Sequence, residues 1–281
     1  MSDPGELAVF LRAKRAEVHP AATPLPAFGQ RRRVPGLRRG GVAQLAGMSV
    51  AYYTRLEQGH SKRASDEVLL SIANALRLSV TETEHLLDLA RGKHATVSAD
   101  GPEHVSDSGQ ALLASLAAPA VILGRRNDVL AWNRLGHALI APHLAFDAPR
   151  SPETRPSMPR LVFLDPAARE LYRDWQDEAA DYVAYLRLVS GKYPGDEELT
   201  RMVGELCVRD DAFAALWASG RVHECVAGSK RLHHPTAGDI TVDFQLWAQA
   251  DRPDQRVEVY RVQDDPEGDR VRALLRATAT T

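Results

Sequence analysis

Apolar residues recur every three or four positions along the first ninety residues, the period expected of helices packed on a common core. Residues 38–47 and 50–58 both show this spacing, and they are separated by Gly47 and Ser49. A glycine can end a helix because it tolerates a positive φ, and a serine is a good N-cap for the next helix. Two short helices joined by a tight glycine-containing turn are typical of the helix-turn-helix, whose second helix enters the DNA major groove.

Three further helices complete this N-terminal region. Residues 6–18 form the first, Ser65 is a candidate N-cap for a helix up to Leu76, and residues 81–84 read Thr-Glu-Thr-Glu, a candidate capping box. Gly40 and Gly41 fall in the first turn of the motif's first helix, where each costs about 0.5–1 kcal/mol relative to alanine. We therefore predict an all-α, five-helix domain whose second helix has a weak first turn.

The pattern changes in the C-terminal half. Residues 119–124 and 129–132 read as two strands around a polar turn, and Asn133 and Asp165 are candidate caps for the helices that follow. Alternation with period two then predicts antiparallel strands at residues 222–226, 230–234, 240–247 and 256–262. Early strands, a helical middle and late strands predict an α+β domain in which helices cover one face of an antiparallel sheet. The predicted organisation is a DNA-binding domain at 1–92, a linker at 93–110, an α+β domain at 111–265 and a C-terminal tail at 266–281.

Composition agrees with a two-domain globular protein. The chain has 281 residues, of which 44% are hydrophobic and 26% charged, and no run approaches the ~20 apolar residues of a membrane span. The N-terminus lacks an apolar signal segment, and the two cysteines, Cys207 and Cys225, favour a reducing compartment over a disulfide framework. We therefore expect a cytoplasmic protein.

The net charge of −2 conceals an asymmetry. Residues 1–63 contain eleven Lys or Arg against four acids, a net charge of +7, so the remainder carries −9. A basic first quarter on an acidic body indicates a polyanionic partner for the N-terminal domain alone.

Several longer segments together resemble a known class of regulators. They are PGLRR at 35–39, SVAYYTRLEQG at 49–59, VLAWN at 129–133, VFLDP at 162–166 and HPTAGD at 234–239. These segments resemble XRE/Cro-type helix-turn-helix transcriptional regulators with an MmyB-like, PAS-like C-terminal ligand-binding domain. Such relatives read PGLRREEVA where this chain has PGLRRGGVA, so Gly40 and Gly41 replace two acids. The resemblance implies a transcriptional regulator that binds double-stranded DNA, and we expect it to act as a homodimer.

The resemblance also assigns the DNA contacts. Base and groove contacts would come from the start and outward face of the second motif helix, namely Gln44, Ser49, Val50, Ala51, Tyr52 and Arg55. Basic residues that flank the motif would contact phosphates, namely Arg31, Arg32, Arg33, Arg38, Arg39, Lys62 and Arg63.

A ligand cavity is the second expectation. The resemblance implies a long apolar pocket for a fatty acid or similar lipophile. Large apolar residues are concentrated in the C-terminal domain, namely Trp132, Tyr172, Trp175, Tyr182, Leu186, Trp217, Phe244 and Trp247. Asn133, Arg231 or His234 would anchor a carboxylate. Taken singly, large apolar residues at helical or strand spacing are usually part of an ordinary core.

Catalysis has no support in the sequence. His223, Cys225, His233 and His234 lie near one another in the chain, with Cys207 and Glu224 as further candidates, but their spacing matches no common metal motif. Neither a phosphate-binding loop nor a nucleophile elbow is present. We expect no enzyme activity, metal or cofactor. Two alternatives stay open: a constitutive DNA-binding protein whose second domain only dimerises, and an enzyme tethered to DNA.

Overall fold

The computed structural model describes residues 4–19, 36–59, 64–91, 103–250, 252, 254–263 and 266–278. Contacts divide the chain into two units that alternate along the sequence. Unit 1 comprises Met1–Ser98, Ala184–Met202 and Ala215–Glu224, and unit 2 comprises Ala99–Val183, Val203–Ala214 and Cys225–Thr281.

Five helices from the N-terminal part of the chain form most of unit 1. They are α1 (Pro4–Glu17), α2 (Arg39–Leu45), α3 (Val50–Glu57), α4 (Asp66–Leu76) and α5 (Val80–Arg91). Their apolar faces share one core, in which Leu11, Val42, Tyr53, Ile72 and Leu86 are fully buried. The predicted five-helix domain is therefore confirmed.

The helix boundaries follow from local capping. Ser49 accepts a hydrogen bond from the Tyr52 amide at 3.2 Å, and Ser65 accepts one from the Val68 amide at 3.4 Å, as the sequence predicts. The capping box predicted at residues 81–84 is wrong. Ser79 and Glu82 form it instead, since the Ser79 amide donates to Glu82 at 2.7 Å and the Glu82 amide donates to Ser79 at 3.3 Å.

Unit 2 is built around a five-stranded antiparallel sheet with strand order β2-β1-β5-β4-β3. The strands are β1 (Ala120–Leu123), β2 (Val129–Trp132), β3 (Ala227–His234), β4 (Gly238–Ala248) and β5 (Arg256–Val262). Asn127 takes the left-handed conformation (φ 59°) in the predicted turn between β1 and β2. The α+β class is confirmed.

The other helices are α6 (Asp107–Ser115), α7 (Arg134–Ile140), α8 (Met158–Leu164), α9 (Pro166–Leu171), α10 (Trp175–Lys192), α11 (Glu197–Arg209), α12 (Asp211–Ala218) and α13 (Pro266–Thr278). Asn133 caps α7 by accepting from the Gly136 amide at 2.7 Å, and Asp165 caps α9 by accepting from the Ala167 amide at 2.8 Å. Both caps confirm the sequence prediction. Helices α10, α11 and α12 contribute residues to both units.

Two segments differ from the prediction. Residues 222–226 form no strand, because Val222 is buried in the core of unit 1 and pairing of β3 with β4 starts only at Ala227. The segment assigned to a C-terminal tail instead contains α13, because Val271 and Leu275, one helical turn apart, both become buried.

None of the described helices combines the length and the apolar character needed to span a membrane.

Candidate functional site

The outward face of α3 is the centre of the candidate DNA interface. Ser49, Ala51 and Arg55 are exposed, and Val50 is 50% exposed. On the opposite face, Tyr53 and Leu56 are buried in the core. Helix α3 therefore presents a mixed apolar and cationic surface to solvent. This mixture suits thymine methyl groups and guanine edges.

The turn before α3 has the geometry the motif needs. Gly47 has φ +66°, and the Met48 amide donates to the Ala43 carbonyl at 2.9 Å, which closes the end of α2. A Cβ at Gly47 would contact nothing within 4 Å, so only the backbone conformation requires a glycine there.

A buried carboxylate connects three helices at the end of α3. The Glu57 side chain is fully buried, and Arg15 of α1 donates to its Oε2 through Nε at 2.8 Å. Arg39 of α2 donates to Oε1 through Nε at 3.1 Å. Burial alone would raise the pKa of Glu57, but the hydrogen bonds from Arg15 and Arg39 outweigh it and hold the pKa below its usual value. These bonds fix the position of α3 relative to α1 and α2.

Sequence reasoning missed this contact. Glu57 is the one acid between residues 36 and 59, within a strongly basic segment, and that isolation is the signal that could have indicated a structural role. Arg15, although counted among the basic residues, is bound to the Leu37 carbonyl at 2.7 Å as well as to Glu57.

The remaining predicted DNA contacts have different surroundings. Arg38 and Gln44 are exposed, and Tyr52 is partly buried against the core of unit 1. Arg39 was predicted only to contact phosphate, but its guanidinium binds Glu57. The Arg39 side chain is 43% exposed. The other predicted contacts lie outside the described residues, namely Arg31, Arg32, Arg33, Lys62 and Arg63.

In unit 2, three of the predicted ligand residues surround a buried lysine. The Lys230 ammonium lies 4.4 Å from the centre of the Phe244 ring, 5.8 Å from Tyr172 and 5.9 Å from Tyr182. It binds Glu178 and lies 3.7 Å from Glu258. Burial alone would lower the pKa of Lys230, but the two carboxylates outweigh that effect and raise it, so the lysine stays charged.

The four tryptophans have different surroundings. The indoles of Trp132 and Trp175 donate to the carbonyls of Phe146 and Val162, each at 2.7 Å. Trp217 belongs to unit 1, as does the predicted Leu186, and its ring is covered by a guanidinium 4.3 Å away. Trp247 is 63% exposed on β4, so it does not line an enclosed cavity.

The three predicted carboxylate anchors are all engaged within the fold. The Asn133 amide donates to the Ala118 carbonyl at 2.7 Å, and Arg231 binds Asp174 at 2.6 Å through Nε. His234 is buried and lies 2.6 Å from the Ala138 carbonyl through Nε2. Burial lowers the pKa of His234 despite that bond, so its ring is neutral near pH 7.

The predicted absence of a metal motif concerns His, Cys, Asp and Glu side chains. Within the part of the chain that the structure describes, no three His, Cys, Asp or Glu side chains come together as a metal site would require. Cys207 and Cys225 form no disulfide, and both lie at partly buried positions.

Fold and surface together define a helix-turn-helix protein with a separate α+β domain, the architecture of a DNA-binding transcription regulator. Comparison with protein families agrees: a helix-turn-helix domain matches residues 6–86, and the MmyB-like transcription regulator ligand binding domain matches residues 105–274. The chain belongs to this MmyB-like family, whose domain spans more than half its length. A comparison with curated proteins found no match.

Proposed function

We propose that this regulator binds specific double-stranded DNA as a homodimer, under the control of a lipophilic small molecule such as a fatty acid bound in the C-terminal domain. The observation that carries the proposal is the outward face of α3, a Ser49-capped helix whose exposed residues include Val50 and Arg55. A capped helix with an exposed, mixed apolar and cationic face is what major-groove reading requires.

The residues on and around the outward face of α3 have the following proposed roles. Arg55 pairs with a guanine edge, and Val50 and Ala51 contact a thymine methyl group. Tyr52 and Gln44 contact phosphate or base edges, and the Ser49 end of α3 faces the DNA backbone. Arg38 and the exposed part of Arg39 contact phosphates, together with the basic residues outside the described ranges, namely Arg31, Arg32, Arg33, Lys62 and Arg63.

Dimerisation follows from how such domains read DNA. Two copies related by a two-fold axis place their α3 helices about 34–36 Å apart, on half-sites one helical turn apart. An effector changes DNA affinity only if it binds one arrangement of the dimer better than the other. The matched ligand-binding family supports an effector. The lipophilic class of that effector rests on the resemblance to MmyB-like regulators.

Selection from random duplexes followed by binding measurements tests the DNA role. Arg55→Ala should lose at least tenfold in affinity for the selected site and much less for unrelated DNA, because the base contact is lost while phosphate contacts remain. Arg12→Ala, which removes an exposed arginine of α1, is the matched control. Equal losses on both DNAs would contradict base reading by Arg55.

Mass spectrometry of lipophiles extracted from the purified protein tests the effector. An extracted compound should bind again and change affinity for the selected DNA site. A full-length protein that retains no lipophile and binds DNA identically with or without added extract would be a constitutive regulator. Sedimentation of the DNA complex gives the number of subunits.

A further inference from the structure

Position 40 lies beside the face of α3 that is proposed to read DNA. Gly40 is in the first turn of α2, and Val50 is the first residue of α3. A Cβ built at Gly40 would lie 3.9 Å from Cγ2 of Val50, and among the described residues it would meet no other atom of α3 within 4 Å. Any side chain at position 40 would therefore lie against Val50, which is 50% exposed.

Neither the backbone nor the packing requires a glycine at position 40. Gly40 does not have a positive φ, and a separation of 3.9 Å is an ordinary van der Waals contact. Glycine is also one of the least favourable residues in a helix. What the glycine does provide is an uncovered Val50, because a longer side chain in its place would lie over the valine methyl groups.

The surroundings of Gly40 are cationic. Glu57 is the one acid between residues 36 and 59, and it is fully buried. Arg39 donates to Glu57 through Nε at 3.1 Å and Nη2 at 3.0 Å, and its Nη1 has no partner among the described residues. From residue 36 to residue 59 the surface therefore offers N–H donors to phosphates and carries no exposed carboxylate.

Base edges in the major groove distinguish an uncovered valine from a covered one. An apolar side chain contacts the C5 methyl group of thymine, whereas a carboxylate accepts a hydrogen bond from the N4 amino group of cytosine. An uncovered Val50 therefore favours thymine. A carboxylate at position 40, lying over Val50, would remove the methyl contact and favour cytosine at the same base pair.

We propose that Gly40 determines base specificity through Val50: because the valine methyl groups stay uncovered, the base that faces Val50 is a thymine, read by its C5 methyl group. Gly40 is thus a positioning residue and makes no base contact itself. This inference rests on the proposed function, in which α3 reads the major groove, and it adds a residue of α2 to the specificity of that reading.

Replacing single thymines of the selected DNA site by deoxyuridine tests the methyl contact, because this change removes only the C5 methyl group. At one thymine the replacement should weaken binding of the full-length wild-type protein about fourfold, the effect expected for one buried methyl group. Val50→Ala should abolish the loss at that thymine, which identifies it as the one facing Val50. If deoxyuridine weakens binding at no thymine, or if Val50→Ala leaves every loss unchanged, the proposal is wrong.

Variants at position 40 test the role of the glycine. Gly40→Glu should bind the thymine and deoxyuridine sites equally, because its side chain covers Val50. Gly40→Ala adds only the Cβ and should keep the difference between the two sites. Gly41→Glu, the matched control, adds the same charge one residue further along α2 and should also keep it. Circular dichroism checks the fold of each variant.

Two results with these variants would overturn the proposal. One is a difference between the thymine and deoxyuridine sites that persists in folded Gly40→Glu protein. The other is a difference that disappears equally in Gly41→Glu protein, since added charge alone would then explain the effect.

Repeating the selection with Gly40→Glu protein gives a readout that a purely structural role would not change. Thymine should lose its enrichment at this base pair and cytosine should replace it, because the introduced carboxylate accepts from the cytosine amino group. A selected site that keeps its thymine would contradict the proposal.

Selection with the wild-type protein separates this inference from the proposed function. If the wild-type protein enriches a site and Gly40→Glu protein reads it with the same methyl dependence, the role of Gly40 is wrong and the proposed function stands. If the wild-type protein enriches no site, the proposed function itself is contradicted, together with this inference.

Discussion

The carboxylate of Glu57 shows what one residue does for the DNA-binding surface. It receives hydrogen bonds from Arg15 of α1 and Arg39 of α2 while it is itself fully buried at the end of α3. Removing one partner of a buried ion pair leaves an uncompensated charge, which costs far more than losing an exposed pair. The residue that best explains the orientation of α3 is therefore a buried one and not a member of its exposed face.

Glu57→Gln should destabilise unit 1 by about 3 kcal/mol near pH 7, because Arg15 keeps its charge and loses its carboxylate. The folded pKa of Glu57 is lowered, so its contribution is complete above the ordinary value of 4.5 and is lost as the pH falls through the lower, folded value. The gap in stability between wild type and variant should therefore narrow below about pH 4.5.

Urea unfolding of the two proteins between pH 3 and pH 7 measures this gap. Glu67→Gln, which changes an exposed acid of α4, is the control and should cost less than 0.5 kcal/mol. A gap that does not change with pH would show that the charge of Glu57 is not what stabilises the fold.

At the scale of the elements, close approach and capping decide how helices associate. Within unit 1, Gly191 of α10 lies against His85 of α5, whose ring also packs edge-on against Phe10 with centroids 5.1 Å apart. Burial lowers the pKa of His85 to about 3, so the ring packs as a neutral aromatic group. Such a contact tolerates no added atom.

Gly191→Ala should therefore destabilise the protein by about 1–3 kcal/mol, because its Cβ would lie 2.4 Å from the His85 ring. Thermal unfolding measures the effect. Gly204→Ala in α11 is the matched control, since a Cβ there meets nothing within 4 Å, and it should stabilise by about 0.5–1 kcal/mol. If both variants changed the thermal stability in the same direction, the packing explanation would be contradicted.

For the glycine pair in α2 we expect the opposite effect, a gain in stability when side chains are added. Gly40 and Gly41 fall in the first turn of α2, neither has a positive φ, and a Cβ at Gly40 would lie 3.9 Å from Val50. The double change Gly40→Glu with Gly41→Glu should raise the melting temperature. Helix propensity contributes about 0.5–1 kcal/mol per position, and the two charges favour the helix N-terminus.

Calorimetry checks that result, with Gly40→Ala plus Gly41→Ala as the version that tests propensity without charge. The alanine pair should give a smaller rise than the glutamate pair. A fall in melting temperature for both would mean that α2 cannot hold side chains at these positions.

At the scale of the whole molecule, the basic first quarter and the acidic remainder predict how DNA affinity depends on salt. Each phosphate contact contributes about 0.9 to the slope of log affinity against log salt. Arg32→Ala with Arg33→Ala should therefore flatten the slope by about 2 for a monomer and by about 4 for a dimer. Titrations between 50 and 200 mM salt measure it.

An unchanged slope would exclude phosphate contacts by these two arginines. Replacing Arg150 and Arg155 of unit 2 by alanine provides the control, because it removes the same charge from the domain that is not expected to bind DNA.

Much of the fold could be predicted because its signals are local. The N-caps Ser49, Ser65 and Asn133 bond to residues three positions away, and the turn at Gly47 is closed by residues five positions apart, so all the partners lie within one short stretch of sequence. The period-two runs that became β4 and β5 are equally local. The sequence alone thus determined the helix-turn-helix, the antiparallel sheet and the likeness to a regulator family.

Only the tertiary structure decided which distant residues share a site. It bound Arg39 to Glu57, surrounded Lys230 with aromatic rings and carboxylates, and buried Val271 and Leu275 of α13. No spacing rule connects residues this far apart in the chain, because the faces of helices and strands become neighbours only when the core packs. The physical reason is that periodicity marks which face is buried, whereas packing alone selects what it is buried against.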